Sequence, residues 1–295
     1  ATGNHAGSPY TYLEVEVMTV YEIVTGKICA ELERGVVPWR KPWVGGDQAP
    51  ANLISKRAYT GINPLLLSLS GYSSPYWLTY KQAAELGGTV RKGEKSSLVV
   101  FYAKLQSKTR TLENGDPDTF AMLRYYNLFN VTQCDGINGH IPVVPTRMIE
   151  PLTAAEAIID GYRDKPSIDD HVSAAWYRPS LDLIGMPPRD TFTSADGYYS
   201  TLFHECIHST GHASRLDRVG VSKEQKRGSE TYSKEELIAE LGAAFLCADA
   251  GIENTIPQSA AYCASWLKAL KGDSKLIVSA ASGASKAARY ITGTA

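Results

Sequence analysis

Apolar positions recur at helical spacing from about Val20 to Arg34, and Gly35 follows as a stop, so the chain is predicted to open on an amphipathic helix. Leu98-Val99-Val100-Phe101-Tyr102 and the run from Arg124 to Val131 read as strands. A proline-bearing extended stretch follows at Ile141-Pro142-Val143-Val144-Pro145, after which Thr153 can cap a helix through Ala154, Glu156, Ala157 and Ile158. Tyr198 to Phe203 supply the apolar side of a buried helix that Gly211 stops. Lys234 to Leu246 reads as another helix, with Ser233 as its N-cap and Leu237, Leu241, Ala244 and Phe245 as its apolar stripe. There is no internal repeat. The pattern predicts an α+β chain of two domains, residues 18–145 around a small sheet and residues 146–295 around the later helices. Residues 1–17 stand outside this scheme, as a native tail or as an extension before Met18-Thr19-Val20-Tyr21.

Composition narrows the class. The 295 residues are 43% hydrophobic and 21% charged, the balance of a soluble globular protein. No apolar run approaches the roughly 20 residues of a membrane span, and the amino terminus lacks a signal-peptide pattern, so no membrane partner is expected. The five cysteines (Cys29, Cys134, Cys206, Cys247 and Cys263) are scattered and form no CxxC pair, which suits a reducing cytoplasm. The net charge of −1 hides an asymmetry: residues 27–110 carry thirteen Lys/Arg against five Asp/Glu, and the balance turns acidic beyond Glu150. A basic first half joined to an acidic second half suggests two functions in one chain.

His204-Glu205-Cys206-Ile207-His208 carries the sharpest chemistry. Histidines at i and i+4 share one helix face, and both imidazoles can reach one Zn²⁺ at about 2.0–2.1 Å. Glu205 between them is placed to act as general base on a water at the metal. The HExxHxxGxxH pattern fails here, because Ser214 occupies the position of its third histidine and His212 is out of register. Glu236 and Glu240 share a face of the later helix, and their repulsion at i,i+4 calls for a nearby cation. A glutamate ligand followed four residues later by an acidic residue resembles thermolysin-like gluzincins. On that pattern Glu236 is the third ligand and Glu240 orients a histidine; the reverse assignment stays open. Cys206 is expected to point away from the metal face. Other divalent ions, such as Mn²⁺, suit the same ligands.

The first half mixes aromatics, cations and amides: Trp39-Arg40-Lys41-Pro42-Trp43, Asn52, Tyr59, Asn63, Trp77, Arg91, Lys92 and Lys95. Aromatic rings stack on unpaired bases and Lys/Arg track phosphates, so the cluster points to single-stranded DNA. Each of these residues taken alone fits an ordinary core or surface role better, and it is the cluster together with the charge asymmetry that carries the DNA reading.

Taken in order, Trp39–Trp43, Asn52, Tyr59-Thr60-Gly61-Ile62-Asn63, Trp77-Leu78-Thr79 and Gly87–Lys95 resemble the ArdC amino-terminal domain, which also begins plasmid conjugation primases. Tyr198-Tyr199, His204–His208, Arg215-Leu216-Asp217-Arg218 and Glu235–Gly242 are similar to the zincin-like, gluzincin-type metallopeptidase domain of the same proteins. The resemblance implies a plasmid-borne antirestriction protein that binds single-stranded DNA and protects DNA entering during conjugation. Its protein substrate is open, a restriction-enzyme subunit being one candidate. The competing reading is a strand-coating shield with a structural or vestigial metal site. A nuclease fits less well, since phosphodiester cleavage favours oxygen-rich two-metal sites. His212, Tyr198 and Tyr199 are candidate oxyanion donors, and Tyr177–Pro179 with Asp182–Pro188 can form the sheet edge that receives a peptide.

Overall fold

The computed structural model describes residues 18–40, 49–111, 117–142, 151–222, 230–254 and 260–294. The first helix, α1 (Val20–Glu33), starts where Thr19 caps it. The Thr19 hydroxyl accepts from Glu22 N–H at 3.3 Å, and Thr19 N–H donates to the Glu22 carboxylate at 2.6 Å. This reciprocal pair satisfies two backbone donors that the helix cannot. Gly35, at φ +75°, then turns the chain out of the helix.

β1 (Ala51–Asn52), α2 (Asn63–Ser68), β2 (Tyr76–Leu78), α3 (Tyr80–Glu85) and β3 (Thr89–Val90) lead into a long hairpin of β4 (Ser97–Thr111) and β5 (Pro117–Asn130), followed by β6 (Cys134–Asp135). The main sheet has the order β1-β2-β5-β4, with β1 parallel to β2 and the other pairs antiparallel; β3 and β6 form a separate pair. Both hairpin strands extend beyond the stretches that periodicity marks as strand. Asn63 seals part of the open edge of β4. Its Nδ2 donates to the Val100 carbonyl at 2.8 Å and its Oδ1 accepts from Val100 N–H at 2.7 Å. One carboxamide thus supplies the pairing a further strand would make.

The second half continues as α4 (Pro151–Gly161), β7 (Ser167–Asp169), β8 (Trp176–Arg178), β9 (Leu183–Gly185), α5 (Ala195–Ser209), α6 (Val219–Ser222), α7 (Glu230–Ala250), α8 (Ala260–Gly272) and α9 (Leu276–Thr292). Strands β7, β9 and β8 pair in that order, which leaves β8 at an edge among the described strands. Two helix starts differ from expectation. α7 begins at Glu230, placing Ser233 inside its first turn, and α4 begins at Pro151, ahead of Thr153. A cap is worth only about 1 kcal/mol, whereas α7 is held by Leu237, Leu241 and Ala244, all fully buried. No helix among the described residues is long and apolar enough to cross a membrane.

A single apolar core runs through most of the molecule. It takes Val24, Ile28 and Leu32 of α1, Trp39, and Leu65 and Leu66 of α2, and continues into α4, α5, α7, α8 and α9. The junction expected near Ile141–Pro145 falls mainly on residues 143–150, outside the described ones, and the core crosses it. Ala280, Ala281, Ala284, Ala287 and Ala288 form the buried side of α9, which brings α9 close to α7. Two smaller clusters pack on opposite faces of the main sheet, one around Leu53, Leu78 and Ile137 and one around Leu67, Trp77, Val99 and Leu128.

α5 and α7 meet closely at Gly242. A Cβ there would lie 2.6 Å from Ile207 Cδ1 and 2.8 Å from its Cγ1, and Ile207 is fully buried. Alanine would recover about 1 kcal/mol of helix propensity and blur the effect, so valine is the sharper probe. Gly242→Val is expected to destabilise the chain by about 1–3 kcal/mol through overpacking, read as a lower midpoint in urea. An unchanged midpoint would show that the two helices are free to move apart.

Candidate metal centre

That crossing aims three side chains at one point. α5 carries His204 and His208 on one face, and their Nε2 atoms lie 3.1 Å apart. Glu236 comes across from α7, with Oε2 3.8 Å from His204 Nε2 and Oε1 3.9 Å from His208 Nε2. One ligand atom from each residue fits within 4.8 Å of the others. Two nitrogens bound tetrahedrally at about 2.0–2.1 Å from Zn²⁺ would stand about 3.3 Å apart, so the observed spacing suits a small divalent cation. His204 Nδ1 is buried with no hydrogen-bond partner among the described residues. Burial, with His208 beside it, holds the His204 ring well below its ordinary pKa and keeps it neutral, as a ligand must be.

The carboxylate that orients a histidine is Glu235, not Glu240. Glu235 Oε1 sits 3.3 Å from His208 Nδ1. Neighbouring residues on a helix diverge by about 100°, so Glu235 and Glu236 can face opposite edges of one imidazole. Arg218 fixes Glu235, donating from Nη2 to Oε1 at 2.6 Å and from Nε to Oε2 at 3.0 Å. The same guanidinium donates to Thr210 Oγ1 at 2.6 Å and to the Ile207 carbonyl at 2.7 Å. It thereby ties the end of α5 to the start of α7. Glu240 lies one turn further along α7, buried beside the Tyr262 hydroxyl, and burial pushes its carboxyl up to about 7.

Glu205 projects from α5 into a cavity of about 820 Å³ that the three converging residues also line. Burial raises its pKa, and Tyr177 on β8 borders the same cavity. β8 borders the cavity through Trp176, Tyr177 and Arg178. Arg215 anchors this strand: it contacts the Tyr177 hydroxyl at 3.2 Å, both oxygens of Asp182 and the Ser209 carbonyl at 2.8 Å. The expected edge therefore exists at Tyr177 and Arg178, while Leu183–Gly185 form the inner strand behind it.

Of the three candidate oxyanion donors, only His212 lines the cavity. Its Nδ1 lies 3.2 Å from Ser214 N–H, a group that can only donate. Nδ1 also lies 2.8 Å from Ser214 Oγ, and the tautomer with its proton on Nε2 is the one that lets Nδ1 accept there. Tyr199 is turned away and donates to Glu156 at 2.8 Å. Tyr198 packs against Phe192 and Tyr199, with Arg189 over its ring. Cys206 is fully buried, and burial pushes its thiol up to about 12, which leaves it inert.

The residues expected to touch DNA divide. Trp39 is fully buried and meets Trp266 edge-on at 6.5 Å, so it belongs to the core. Trp77 is buried against Tyr72 at 5.6 Å. A large ring gains more from a packed interior than from a wet face, and these two corrections follow from that. Asn52 Oδ1 accepts from Ile54 and Ser55 N–H, and its Nδ2 donates to Gln82 at 3.2 Å and to the half-buried Tyr59 at 3.5 Å. Asn63 seals β4, and Arg91 is bound to Glu94, Asp135 and the Thr132 carbonyl. These polar groups satisfy the backbone and one another. Lys92 and Lys95 are exposed. The Arg40 side chain, Lys41 and Trp43 lie outside the described residues.

Comparison with known proteins places both halves. Residues 18–129 match the family described as the N-terminal domain of anti-restriction factor ArdC, and residues 153–283 match zincin-like metallopeptidase. The chain is 36% identical over 290 residues to an uncharacterized protein, y4eC, of Sinorhizobium fredii, covering 92% of this chain and 91% of that one. It is also 36% identical to the DNA primase TraC of Escherichia coli, covering 92% of this chain but 27% of the primase, so it spans about a quarter of that relative's length. In structure it is similar to the antirestriction ArdC protein from the R388 plasmid. The metal-free form gives a TM-score of 0.73 at 40% identity, covering 94% of this chain and 100% of that one. The Mn(II)-bound form gives 0.72 at 41%, covering 94% and 98%.

The buried carboxyl of Glu240 makes stability depend on pH. Folded, it holds its proton up to about pH 7, against an ordinary value of 4.5. Folding takes up a proton in that window, so stability falls as the pH rises from about 4.5 to about 7 and then levels off. Glu240→Gln in metal-free protein is expected to reduce this loss by about 3 kcal/mol, because each pH unit across the window is worth ~1.4 kcal/mol. Urea denaturation at pH 5 and pH 8 measures it, and identical pH dependence in both proteins would contradict the assignment.

Proposed function

This chain belongs to the ArdC antirestriction family, and on that premise we propose that it binds single-stranded DNA with its amino-terminal half and carries a metal-dependent peptidase centre in its carboxy-terminal half, shielding incoming plasmid DNA from restriction. The observation that carries the peptidase reading is the convergence of His204, His208 and Glu236 in a cavity that also receives Glu205 and borders an edge strand. His204, His208 and Glu236 would hold Zn²⁺ or Mn²⁺; the R388 relative has a Mn(II)-bound form. Bound there, the cation would polarise a carbonyl and acidify a water.

The chain's own residues supply the rest. Glu205, raised in pKa by burial, accepts a proton from the attacking water and passes it to the departing amine. His212 offers its Nε2–H to the oxygen on which negative charge grows. Glu235, clamped by Arg218, keeps His208 in its ligating orientation. β8 borders the cavity at a sheet edge, where its backbone can pair with an extended peptide laid along it. The substrate is then a polypeptide near the DNA, with a restriction-enzyme subunit as the first to try.

Metal content of the purified chain tests the ligand set. His208→Ala is expected to lose the ion, and Glu235→Gln to weaken its binding about 10–100-fold. Stoichiometric metal in His208→Ala would sink the assignment.

Chemistry is tested separately. Glu205→Ala is expected to keep its metal while losing peptide hydrolysis and, in cells, the protection of transferred DNA. His212→Ala should keep its metal and lower kcat about 10²–10³-fold. Undiminished protection by Glu205→Ala would favour a shield that acts by coating the strand.

A further inference from the structure

Trp39 and Trp77 are buried and offer no stacking surface, yet the main sheet presents other rings to solvent. β2 pairs with β5 only at Trp77↔Asn130 and Leu78↔Phe129. Beyond that point β4 and β5 run on as a two-stranded ribbon. Residues directly opposite one another in an antiparallel pair share a face. The register Val99↔Tyr126 and Phe101↔Arg124 therefore sets Phe101, Arg124 and Tyr126 on one side. Phe101 is 55% exposed and Tyr126 is 48% exposed. Arg124 is also exposed, directly across from Phe101.

The base of this face is rigid. Val99 and Leu128 are buried there against Trp77, with Tyr59 and Tyr72 at the margin. Trp77, paired with Asn130 on the same face, flanks the exposed rings at the base of the ribbon. The six residues of this face from Ser97 to Phe101 and from Arg124 to Leu128 include no acid, and Arg124 supplies a cation. Lys92 and Lys95 stand exposed in the loop that feeds β4, without an ion-pair partner among the described residues. Half-exposed rings at diagonal positions on a sheet leave much of their apolar surface in water, and adjacent exposed aromatics mark contact surfaces. Flat rings among cations suit unpaired bases with their phosphates.

We infer that the Phe101–Arg124–Tyr126 face of the β4–β5 ribbon is where single-stranded DNA stacks. This rests on the DNA-binding reading of the amino-terminal half and specifies its surface. The bases lie on the two rings, Arg124 and the nearby lysines meet the phosphates, and duplex DNA is excluded because its bases hide their faces. Tyr125 points to the opposite side of the ribbon, beside Val100, and takes no part.

The test is titration of a fluorescent oligothymidylate with the full chain at two salt concentrations. Phe101→Ala and Tyr126→Ala should each weaken binding about 5–150-fold, while Tyr126→Phe keeps the ring and most of the affinity. Arg124→Ala should weaken binding and flatten its salt dependence. Tyr125→Ala should bind as the parent does. All these positions are exposed, and circular dichroism checks that each variant is folded. If the parent chain binds oligothymidylate and the Phe101→Ala/Tyr126→Ala double variant binds it equally, the assignment of this face is overturned and it becomes a candidate protein contact. If the parent itself does not bind, the DNA-binding reading fails first.

Discussion

The approach of α5 to α7 at Gly242 and Ile207 is the contact on which the site depends. A glycine lets the two backbones come close, and only at that separation does Glu236 reach the two histidines of α5. Arg218 reinforces the same contact with polar bonds, since it grips Glu235 on α7 while holding Thr210 and the Ile207 carbonyl at the end of α5. Packing thus sets the spacing of the helices, and one guanidinium sets their register. The candidate metal centre inherits both.

The two halves are joined by more than the chain that links them. α1 and Trp39 come from the amino-terminal half in sequence, yet they are buried in the core with α8 and Trp266. The matched families follow one another along the chain, with residues 130–152 between them, but share apolar surface in space. A fragment that stops near Pro145 would leave the buried side of α1 exposed, so DNA binding is better measured on the whole chain. The shared core also means that movement of one half strains the other, because packed interiors transmit displacement.

Much of this was legible locally. The i,i+4 spacing of His204 and His208 puts both on one helix face, whatever the fold. The periodicity from Val20 and the stop at Gly35 delimit α1 with similar locality. Helix starts at α4 and α7 were less legible, since a cap worth about 1 kcal/mol yields to buried surface. Glu235 was hidden beside Glu236 and Glu240: three acids on one helix look alike until the orientation of the partner imidazole is known. Arg218 had no signal beyond its place in Arg215-Leu216-Asp217-Arg218.

The sequence by itself determined the chemistry on offer: two histidines and a glutamate on one helix, acids on a later helix, and a first half rich in cations and rings. Side-chain identity and helical spacing suffice for that, because both are properties of neighbouring residues. Tertiary structure decided which members of each set meet. It brought Glu236 to the histidines, turned Glu235 to His208, buried Trp39 and Trp77, and left Phe101 and Tyr126 in solvent. Those outcomes depend on contacts between residues far apart in the chain, where a ring's gain from burial and an acid's need for a partner are set by what packs opposite.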